Sequence, residues 1–302
     1  PIEYAKNTDM RPVAESWEVS VHPAGPSRIV GGEYAGQTLR RVLEEHPEMI
    51  GEGQTDFPVL IKLIDAKESL SLQVHPKDDY AKQHENQQGK NEMWYVLHAD
   101  PGATLLMGFQ EGTTQQELEE KIDTDEILAL CEQVPVKRGD CFAIPAGMIH
   151  SIGGGVVIAE VQQNSDVTYR VYDYGRKGKD GLPRPLAIEK ALDVLDVTLR
   201  PENAGNNPSL SAPGCTITPL VNWEYFYTEK IDLRTLSQHY VTEKSFHAIV
   251  VLAGDVVLRS PNSILFLSKG ESVFLPAGMG EYKLEGPGSV LVVKLAYEEP
   301  LE

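Results

Sequence analysis

A twelve-residue segment occurs twice in this chain, and this repeat limits the fold more than any other feature of the sequence. Residues 139–150 read GDCFAIPAGMIH and residues 270–281 read GESVFLPAGMGE, so both follow the pattern G-x5-P-x-G without a gap. In each copy the first glycine and the Pro-x-Gly group predict turns that enclose a short apolar strand. A weaker match relates residues 95–99 to residues 249–253. The chain is therefore predicted to contain two related domains built from strands and tight turns.

Glycine and proline interrupt the rest of the chain in the manner of an all-β protein. The 26 glycines and 20 prolines separate short apolar runs rather than long periodic segments. Strands are predicted at residues 58–64, 70–75, 93–97, 103–107, 141–144, 156–162, 168–172, 225–227, 248–252, 256–258, 264–267, 272–275 and 289–295. The fold class is therefore predicted to be mainly β.

Three segments show helical spacing instead. Residues 38–45 and 186–195 carry apolar side chains at intervals of three and four, and the segment 114–132 opens with Thr114 and Glu117 at the spacing of a capping box. The segment 114–132 has no counterpart in the second copy of the repeat. We interpret it as a helical insertion in the first domain.

The first copy of the repeat continues to a histidine, and the pattern G-x5-P-x-G-x2-H resembles the second motif of the cupin family. The resemblance implies two cupin domains, each a jelly roll or double-stranded β-helix. Residues 1–199 would form the first domain, residues 215–302 the second, and residues 200–214, which are rich in Pro, Asn, Gly and Ser, the linker.

A metal site is predicted in the first domain. Polar and apolar residues alternate strictly over residues 69–75, so Gln73 and His75 share one face of a strand. Such a polar face is usually solvated, but the inner face of a barrel can hold a ligand. Glu92 and His150 would complete a set of two imidazoles, one carboxylate and one amide, a mixture that suits zinc.

The other histidines do not form such a set. A single histidine is more often structural or exposed to solvent than a metal ligand, and His22, His46, His84, His98 and His239 lie in no ligand pattern. In the second copy Glu281 occupies the aligned position of the motif histidine, and His247 stands alone. The second domain is therefore predicted to keep the fold without the metal.

An arginine follows the proposed metal site along the chain. If the run TYRVYDY is extended, Thr168, Arg170 and Tyr172 share one strand face, and Arg170 could reach the same barrel mouth as His150. An arginine beside a metal suits an anionic substrate or an enediolate-like transition state. The alternative is a surface arginine paired with Asp173.

The charge of the chain excludes some classes of partner. Its 45 acidic residues outnumber its 27 basic residues, which gives a formal net charge of −18. Binding to nucleic acid or to anionic lipid would require a basic patch, so neither partner is expected. No apolar segment approaches the roughly 18 residues of a membrane helix. The three cysteines form no CxxC pair, which predicts reduced thiols and a cytoplasmic location.

Several runs together resemble the short bacterial form of type I mannose-6-phosphate isomerase. AESW, SLSLQVHP, GKNEMWYV, PAGMIHS and VQQNSDVTYRVYDYGR occur in that family's order over about residues 12–195. The resemblance implies interconversion of mannose 6-phosphate and fructose 6-phosphate with one zinc ion per chain. The residues that it assigns are the zinc ligands Gln73, His75, Glu92 and His150, the catalytic residues Arg170 and Lys90, and the substrate-binding residues Lys62, Ser71, Trp17 and Tyr172.

The implied reaction moves a proton between C1 and C2 of the open sugar through a cis-enediol. Lys90, a metal-bound water and a carboxylate all remain candidates for the base, and the oligomeric state stays open. The alternatives are another metal-dependent cupin enzyme, a non-catalytic sugar-phosphate-binding protein and a structural bicupin. Q-x-H in place of H-x-H argues against a cupin oxygenase, and the presence of all four ligand positions argues against a protein that only binds the sugar.

Overall fold

The computed structural model describes residues 13–178 and 180–296, and most of its regular structure is β-strand. The mainly β fold class with cupin domains is confirmed. None of the helices in that part of the chain combines the length and the apolar composition that a membrane crossing requires.

The strands follow one another closely along the chain. In chain order they are β1 (Glu15–Val19), β2 (Val59–Ala66), β3 (Leu72–Val74), β4 (Glu92–Ala99), β5 (Thr104–Phe109), β6 (Cys131–Pro135), β7 (Cys141–Ile144), β8 (His150–Ile152), β9 (Val156–Gln163), β10 (Tyr169–Tyr172), β11 (Leu210–Ala212), β12 (Cys215–Asn222), β13 (Tyr227–Leu233), β14 (Leu236–Val241), β15 (His247–Ser260), β16 (Ser263–Ser268), β17 (Ser272–Leu275), β18 (Gly280–Glu285) and β19 (Gly288–Lys294).

The helices are short. They are α1 (Leu39–Glu45), α2 (Asp78–Glu85), α3 (Gln115–Lys121), α4 (Ile127–Leu130) and α5 (Ile188–Val194), and single 3-10 turns lie at Pro47–Met49 and Ala204–Asn206.

Contacts between residues divide the chain into two compact units. The first unit is Ile64–Asn203, and the second combines the described residues before Ile64 with those after Asn203. No pattern in the sequence predicted that residues near the N-terminus would group with the C-terminal residues. The domain boundaries expected from the sequence stay a prediction.

In the first unit, two antiparallel sheets enclose an apolar core. One contains β9, β4 and β7, and the other has the order β10-β3-β8-β5-β6. Side chains from both sheets meet between them, among them Trp94, Phe142, Met107 and Ile152, all of which are buried. Burial of this shared layer holds the two sheets face to face, with strands alternating between inward and outward side chains.

The alternation predicted for the strand that carries Gln73 and His75 is confirmed. Leu72 and Val74 join an apolar cluster on the outer face of their sheet. That cluster is covered by helical side chains, including Leu118 of α3, Ile127 of α4 and Ala191 of α5. The apolar residues of β3 are thus used for helix packing, which leaves the polar residues facing the interior of the barrel.

The prediction that Arg170 and Tyr172 share one face of their strand is wrong. Arg170 lies opposite Gln73 on β3, but Tyr172 lies opposite Leu72, with a register irregularity between them. Strand β10 thus advances by two residues where β3 advances by one, as in a β-bulge. After the bulge, each side chain of β10 points to the face opposite to the one that simple alternation predicts. Tyr172 consequently packs against the outer apolar cluster.

The helical segment predicted at 114–132 is too long. Its start is confirmed, because the Thr114 side chain and Glu117 form a capping box at the beginning of α3. The helix ends at Lys121, α4 follows as one turn, and Cys131–Pro135 pairs with β5 as strand β6. Pairing with a neighbouring strand outweighs helical spacing in this last part.

Helix α2 was missed for a physical reason. Its sequence is DDYAKQHE, in which only Ala81 is buried, so it has almost no apolar periodicity to detect. The predicted helices near 38–45 and 186–195 are confirmed as α1 and α5, and the Thr38 side chain accepts a hydrogen bond from Arg41 N at the start of α1.

The second unit repeats the strand-turn-strand arrangement of the first. Strands β17 and β18 flank the second PAGM turn as β7 and β8 flank the first. The turn glycines, Gly147 and Gly278, have φ values of 95° and 76°, a backbone region that favours glycine. Strand β15, predicted as two strands, is a single strand of 14 residues that pairs with four others.

Candidate functional site

Three buried side chains converge inside the first unit. His75 follows β3, Glu92 begins β4 and His150 begins β8, and one nitrogen or oxygen atom from each lies within 4.8 Å of the others. Each of these residues is at most 1% exposed. Within residues 13–178 and 180–296 this is the only such group of three or more potential metal ligands.

The outer nitrogens of both imidazoles are bound to backbone carbonyls. His75 Nδ1 lies 2.9 Å from the carbonyl oxygen of Val167, and His150 Nδ1 lies 2.9 Å from that of Met148. A carbonyl accepts only from an N–H, so the proton of each neutral ring sits on Nδ1 and the Nε2 lone pair faces the centre. This arrangement is usual for histidines that bind metals.

The inner atoms are spaced as ligands of a single ion. The two Nε2 atoms are 3.1 Å apart, and Glu92 oxygens lie 3.3 Å from His75 Nε2 and 3.5 Å from His150 Nε2. Two nitrogens bound to one zinc ion at about 2.1 Å and a tetrahedral angle are roughly 3.4 Å apart. Lone pairs that face each other at such distances repel unless a cation lies between them, so this donor set fits a metal ion.

The protonation states also suit a metal. Burial, and after it the charge of Lys90, lowers the pKa of His75 to about 3, and burial lowers the pKa of His150. Burial by itself raises the pKa of Glu92, but the charge of Lys90 and the contacts with His75 outweigh it and hold that pKa well below its usual range. At neutral pH the group therefore contains two neutral imidazoles and one carboxylate, the forms that bind metals.

Lys90 and Gln73 border the group. Lys90 is 5% exposed, and its Nζ lies 2.7 Å from Glu92 Oε1 and 3.3 Å from His75 Nε2. The Gln73 amide lies 3.4 Å from His150 Nε2, and Ser71 Oγ donates to Gln73 Oε1 at 3.4 Å. A half-turn of the Gln73 amide would direct its oxygen toward the centre.

A row of residues across the sheet connects this group with Arg170. Arg170 lies opposite Gln73, Gln73 lies opposite His150, and His150 lies opposite Met107 on successive strands. Residues that are directly opposite in neighbouring strands share a face. The bulge after Arg170 therefore does not prevent Arg170 from facing the same interior as Gln73 and His150.

Arg170 belongs to a cluster of three arginines around one carboxylate. Asp173 forms ion pairs with Arg176, at 2.8 Å, and with Arg184. Burial, and then the like charge of Arg184, lowers the pKa of Arg170, while Arg184 and Arg176 outweigh burial and lower the pKa of Asp173. Three positive charges against one negative charge leave the cluster positive, which favours an anion.

Arg170 keeps donor capacity in this cluster. Its NH1 atom donates to the carbonyl of Pro185 at 3.3 Å, whereas its Nε atom is buried and, among the described residues, has no hydrogen-bond partner.

Two of the expected substrate residues lie in the second unit. The Lys62 ammonium lies 5.3 Å from the centre of the Trp17 ring, a cation–π contact, and Trp17 Nε1 donates to Glu15. Ser71, Gln73, His75, Lys90, Glu92, His150 and Arg170 are brought together in the first unit. Tyr172 lies on the outer face of the same sheet, next to Tyr174.

Polar residues of β9 also face the interior, although no motif in the sequence predicted them. All eight residues of β9 are buried, so polar side chains there must face other polar groups. Gln162 lies opposite Glu92, and Glu160 accepts a hydrogen bond from Trp94 Nε1 at 2.8 Å. The sequence signal for them is the spacing of Glu160 and Gln162, two positions apart in the otherwise apolar run VVIAEVQQ.

The corresponding place in the second unit has different chemistry. Glu281 aligns with His150 in the sequence, but it is exposed, and the next residue, Tyr282, is the one buried in the core. The Tyr282 hydroxyl lies 2.9 Å from His247 Nδ1, and its ring stacks on His239. The expectation that Glu281 takes the place of the motif histidine is therefore wrong in three dimensions, because Tyr282 and not Glu281 faces the core.

The site and fold define a cupin protein with a buried histidine–carboxylate group of potential metal ligands. A family model described as phosphomannose isomerase type I, catalytic domain, matches residues 3–123, and one described as mannose-6-phosphate isomerase, cupin domain, matches residues 216–295. The chain is 38% identical to mannose-6-phosphate isomerase ManA of Bacillus subtilis over 283 residues, which cover 93% of this chain and 89% of that protein. The chain belongs to the type I mannose-6-phosphate isomerase family.

Other relatives agree with this assignment. The mannose-6-phosphate isomerase of Streptococcus mutans is 37% identical over 94% of this chain and 89% of its own length. The crystal structure of the mannose 6-phosphate isomerase from Bacillus subtilis matches with a TM-score of 0.90 at 33% identity, covering 96% of this chain and 92% of that one. A mannose 6-phosphate isomerase crystallised with zinc and yttrium shares the fold, with a TM-score of 0.75 at 18% identity and coverage of 98% and 94%.

Proposed function

We propose that this protein is a zinc-dependent aldose–ketose isomerase that interconverts mannose 6-phosphate and fructose 6-phosphate through a cis-enediol. The observation that carries the proposal is the buried group of His75, Glu92 and His150 with a positively charged arginine cluster beginning on the neighbouring strand. The activity of the curated relatives, which are named mannose-6-phosphate isomerases, supports the substrate.

One zinc ion per chain would be held by Gln73, His75, Glu92 and His150. The zinc in a structural relative supports the choice of metal, as does the mixture of imidazole, carboxylate and amide donors. When bound, such an ion supplies positive charge that stabilises negative charge developing on O1 and O2 of the open sugar.

The remaining roles fall to the side chains around this group. Arg170 would hold negative charge on the substrate, since it faces the interior beside Gln73 and has a buried Nε without a protein acceptor in the described residues. Lys90, whose ammonium contacts Glu92, would donate a hydrogen bond or a proton to the sugar oxygen on which negative charge develops. Lys90 is buried together with the proposed ligands, so bulk water is excluded around it and its electrostatic interactions are strengthened.

The phosphate would bind at the arginine cluster. Ser71, just before β3, donates to Gln73 Oε1, and Arg176 NH1 donates to the carbonyl of Ser69 at 2.8 Å. The family resemblance implies that Lys62 and Trp17 bind the substrate, whereas Tyr172, which faces the outer apolar cluster, is withdrawn from that role.

The two units would have separate tasks in a cytoplasmic enzyme. We assign the chemistry to the first unit, and the C-terminal cupin domain would retain the fold without a metal. Cys131, Cys141 and Cys215 are buried free thiols, and burial raises the pKa of Cys131 and Cys141 to about 12. Such thiols are typical of proteins in a reducing compartment.

A coupled assay on the purified protein tests the proposal. We expect interconversion of both sugar phosphates, loss of turnover after exhaustive chelation, and recovery when one equivalent of zinc is returned. Turnover that persists in fully metal-free protein would refute the zinc dependence. A zinc-loaded protein that converts neither sugar phosphate would refute the reaction.

A further inference from the structure

Around the proposed metal group runs a set of partly buried hydrogen bonds that no catalytic role uses. We call it the amide hub. It consists of the side chains of Asp78, Asn91 and Gln163 together with the backbone N–H of Ala146. Gln163 is 2% exposed.

Gln163 is the centre of the hub. Its Oε1 accepts from Asn91 N at 2.9 Å and from Asn91 Nδ2 at 2.7 Å, and its Nε2 donates to Asp78 Oδ1 at 3.2 Å. Its own backbone N–H donates to the carbonyl of Asn91 at 3.1 Å. Both polar ends of the side chain are therefore engaged, each by a different segment.

Asn91 connects Gln163 with the turn that precedes His150. It lies directly between Lys90 and Glu92, and its Oδ1 accepts from the backbone N–H of Ala146 at 2.9 Å. Ala146 belongs to the Pro-x-Gly turn, after which the chain enters β8 at His150. One side chain thus holds the start of β4 and the start of β8 at a set separation.

Asp78 joins the segment that follows His75. Its Oδ1 accepts from Gly89 N at 2.7 Å as well as from Gln163, and Gly147 N donates to the carbonyl of His75 at 2.9 Å. Asp78 therefore links the residues just after His75 with the residues just before Glu92.

A second connection leads from Gln163 to the ring of His75. Ser165 N donates to the carbonyl of Gln163 at 2.7 Å, and Val167 N donates to Ser165 Oγ at 3.3 Å. The carbonyl of Val167 holds His75 Nδ1 at 2.9 Å. The orientation of the His75 ring thus depends on a loop that begins at the hub.

We propose that Asn91 and Gln163 are positioning residues that hold the segments carrying His75, Glu92 and His150 at the separation a zinc ion requires. The inference rests on the proposed metal site. The three ligands come from segments far apart in the chain, and each segment reaches the hub through a named hydrogen bond. Outer partners of this kind typically change metal affinity by about 10–100-fold.

The test compares hub variants with a matched variant elsewhere in the same unit. Asn203 also bridges a carboxylate and a backbone N–H, because Asn203 Nδ2 donates to Asp140 at 3.0 Å and Cys141 N donates to Asn203 Oδ1 at 3.1 Å. It contacts none of the three ligand segments through these bonds. Asn203→Ala is therefore the control for Asn91→Ala and Gln163→Ala.

Zinc affinity is measured by competition with a chromogenic chelator, and thermal unfolding is followed by circular dichroism on the metal-free proteins. We expect Asn91→Ala and Gln163→Ala to weaken zinc binding about 10–100-fold, and Asn203→Ala to change it less than about twofold at a similar loss of thermal stability. Because the two hub residues contact each other, the double variant should lose no more than about the larger single effect.

A charge exchange distinguishes positioning from general destabilisation, and covers the case in which an alanine variant does not fold. Gln163→Glu replaces the donor toward Asp78 with a second carboxylate and should weaken zinc binding. Adding Asp78→Asn supplies a new donor and should recover most of the affinity. Recovery of this kind is not expected if Gln163 only contributes to folding.

The outcomes separate this inference from the proposed function. Wild-type zinc affinity in the hub variants, an equal loss in Asn203→Ala, or no recovery in the charge exchange would each overturn the role of the hub. A wild-type protein that binds zinc but does not isomerise sugar phosphates, with weakened binding in the hub variants, would refute the reaction and leave the hub in place.

Discussion

The two cupin regions of the chain share a strand-turn-strand unit but differ in the partners of their buried polar groups. Ile144 and Leu275 are the residues that directly precede the two Pro-Ala-Gly turns. In the first unit Glu92 lies opposite Ile144, and in the second His247 lies opposite Leu275. In the first unit the acceptors of Glu92, His75 and His150 point at one another. In the second, Glu229 and His247 have donors from neighbouring side chains.

In the second unit, buried polar side chains have protein partners. Lys294 Nζ pairs with Glu229 at 2.6 Å, the Tyr227 hydroxyl donates to Glu229 at 3.1 Å, and the Tyr282 hydroxyl lies 2.9 Å from His247 Nδ1. Buried polar groups that are paired cost little, whereas buried acceptors without donors are costly. Among the described residues, potential metal ligands thus converge on one centre in the first unit, whereas the acceptors named in the second unit have protein donors.

The largest expected effect is the loss of zinc binding when the negative charge of Glu92 is removed. A complete zinc site binds its ion with about 10 kcal/mol or more, so the loss of one charged ligand in Glu92→Gln should weaken zinc binding on the order of 1,000-fold. Turnover should fall with it. Zinc content after dialysis, measured by atomic spectroscopy, checks this.

The corresponding change in the second unit is the control for that prediction. Glu229→Gln alters a buried carboxylate that pairs with Lys294 and should leave zinc content unchanged. Equal zinc loss in both variants would contradict the contrast between the two units.

A second large effect should separate catalysis from metal binding. Arg170→Ala should lower turnover about 100–1,000-fold, because it removes charge stabilisation near the reacting atoms, while zinc content stays at wild type. Arg200→Ala is a suitable control, since Arg200 NH1 also donates to backbone carbonyls but at an exposed position. Near-normal turnover in Arg170→Ala would remove Arg170 from the site.

The free energy of unfolding of the second unit should depend on pH through His247. Burial, followed by the charge of Lys294, lowers the pKa of His247 to about 3, so below pH 6.5 the unfolded chain binds a proton that the folded chain does not. Stability is therefore complete above pH 6.5 and falls as the pH decreases toward 3. Between pH 6.5 and pH 5 the loss should be about 2 kcal/mol.

Urea unfolding of the wild type and of His247→Gln at both pH values measures this contribution. The variant should lose about 2 kcal/mol less than the wild type over that interval, since its side chain does not titrate. Because both proteins keep the first unit, the titration of its groups cancels in the difference. Identical losses in the two proteins would show that His247 does not control this dependence.

A smaller effect is expected at the residue that occupies the inward position of the second repeat. Tyr282→Phe keeps the ring that stacks on His239 but removes the hydroxyl that contacts His247. We expect a loss of about 1 kcal/mol in the free energy of unfolding, the usual value of one buried hydrogen bond, with zinc content and turnover unchanged. A loss of zinc from this variant would mean that the two units are not chemically separate.

The smallest effect is expected at Glu281, the residue that the sequence aligns with His150. Glu281 is exposed, and its nearest cation, Lys283, is 3.8 Å away. Glu281→Gln should therefore change the free energy of unfolding by less than about 0.5 kcal/mol. If Glu281→Gln proved more damaging than Tyr282→Phe in the same unfolding measurement, Glu281 and not Tyr282 would be the inward residue.

Local patterns in the sequence predicted much of the site. Alternation on β3 placed Gln73 and His75 on the face opposite Leu72 and Val74, and the Pro-x-Gly turn placed His150 at the beginning of a strand. Both follow from short-range geometry, because the facing of a side chain repeats every two residues in a strand. The same reasoning failed at Tyr172, where a one-residue irregularity reverses the facing without a clear sign in the sequence. It also failed at Glu281, where the next residue, Tyr282, is the buried one.

Other parts of the site could not be predicted because they depend on segments that meet only after folding. Arg184 joins Arg170 and Asp173, and Gln163 joins Asn91 and Asp78, across separations of 11 to 85 residues. No local period records such contacts.

The sequence by itself thus determined two cupin regions, the identity of the convergent histidines and carboxylate, and the membership of an isomerase family. Only the tertiary structure decided which buried polar groups satisfy one another and which remain directed at a common centre. The physical reason is that side-chain facing is a property of a few neighbouring residues, whereas the pairing of buried donors and acceptors is a property of the packed chain.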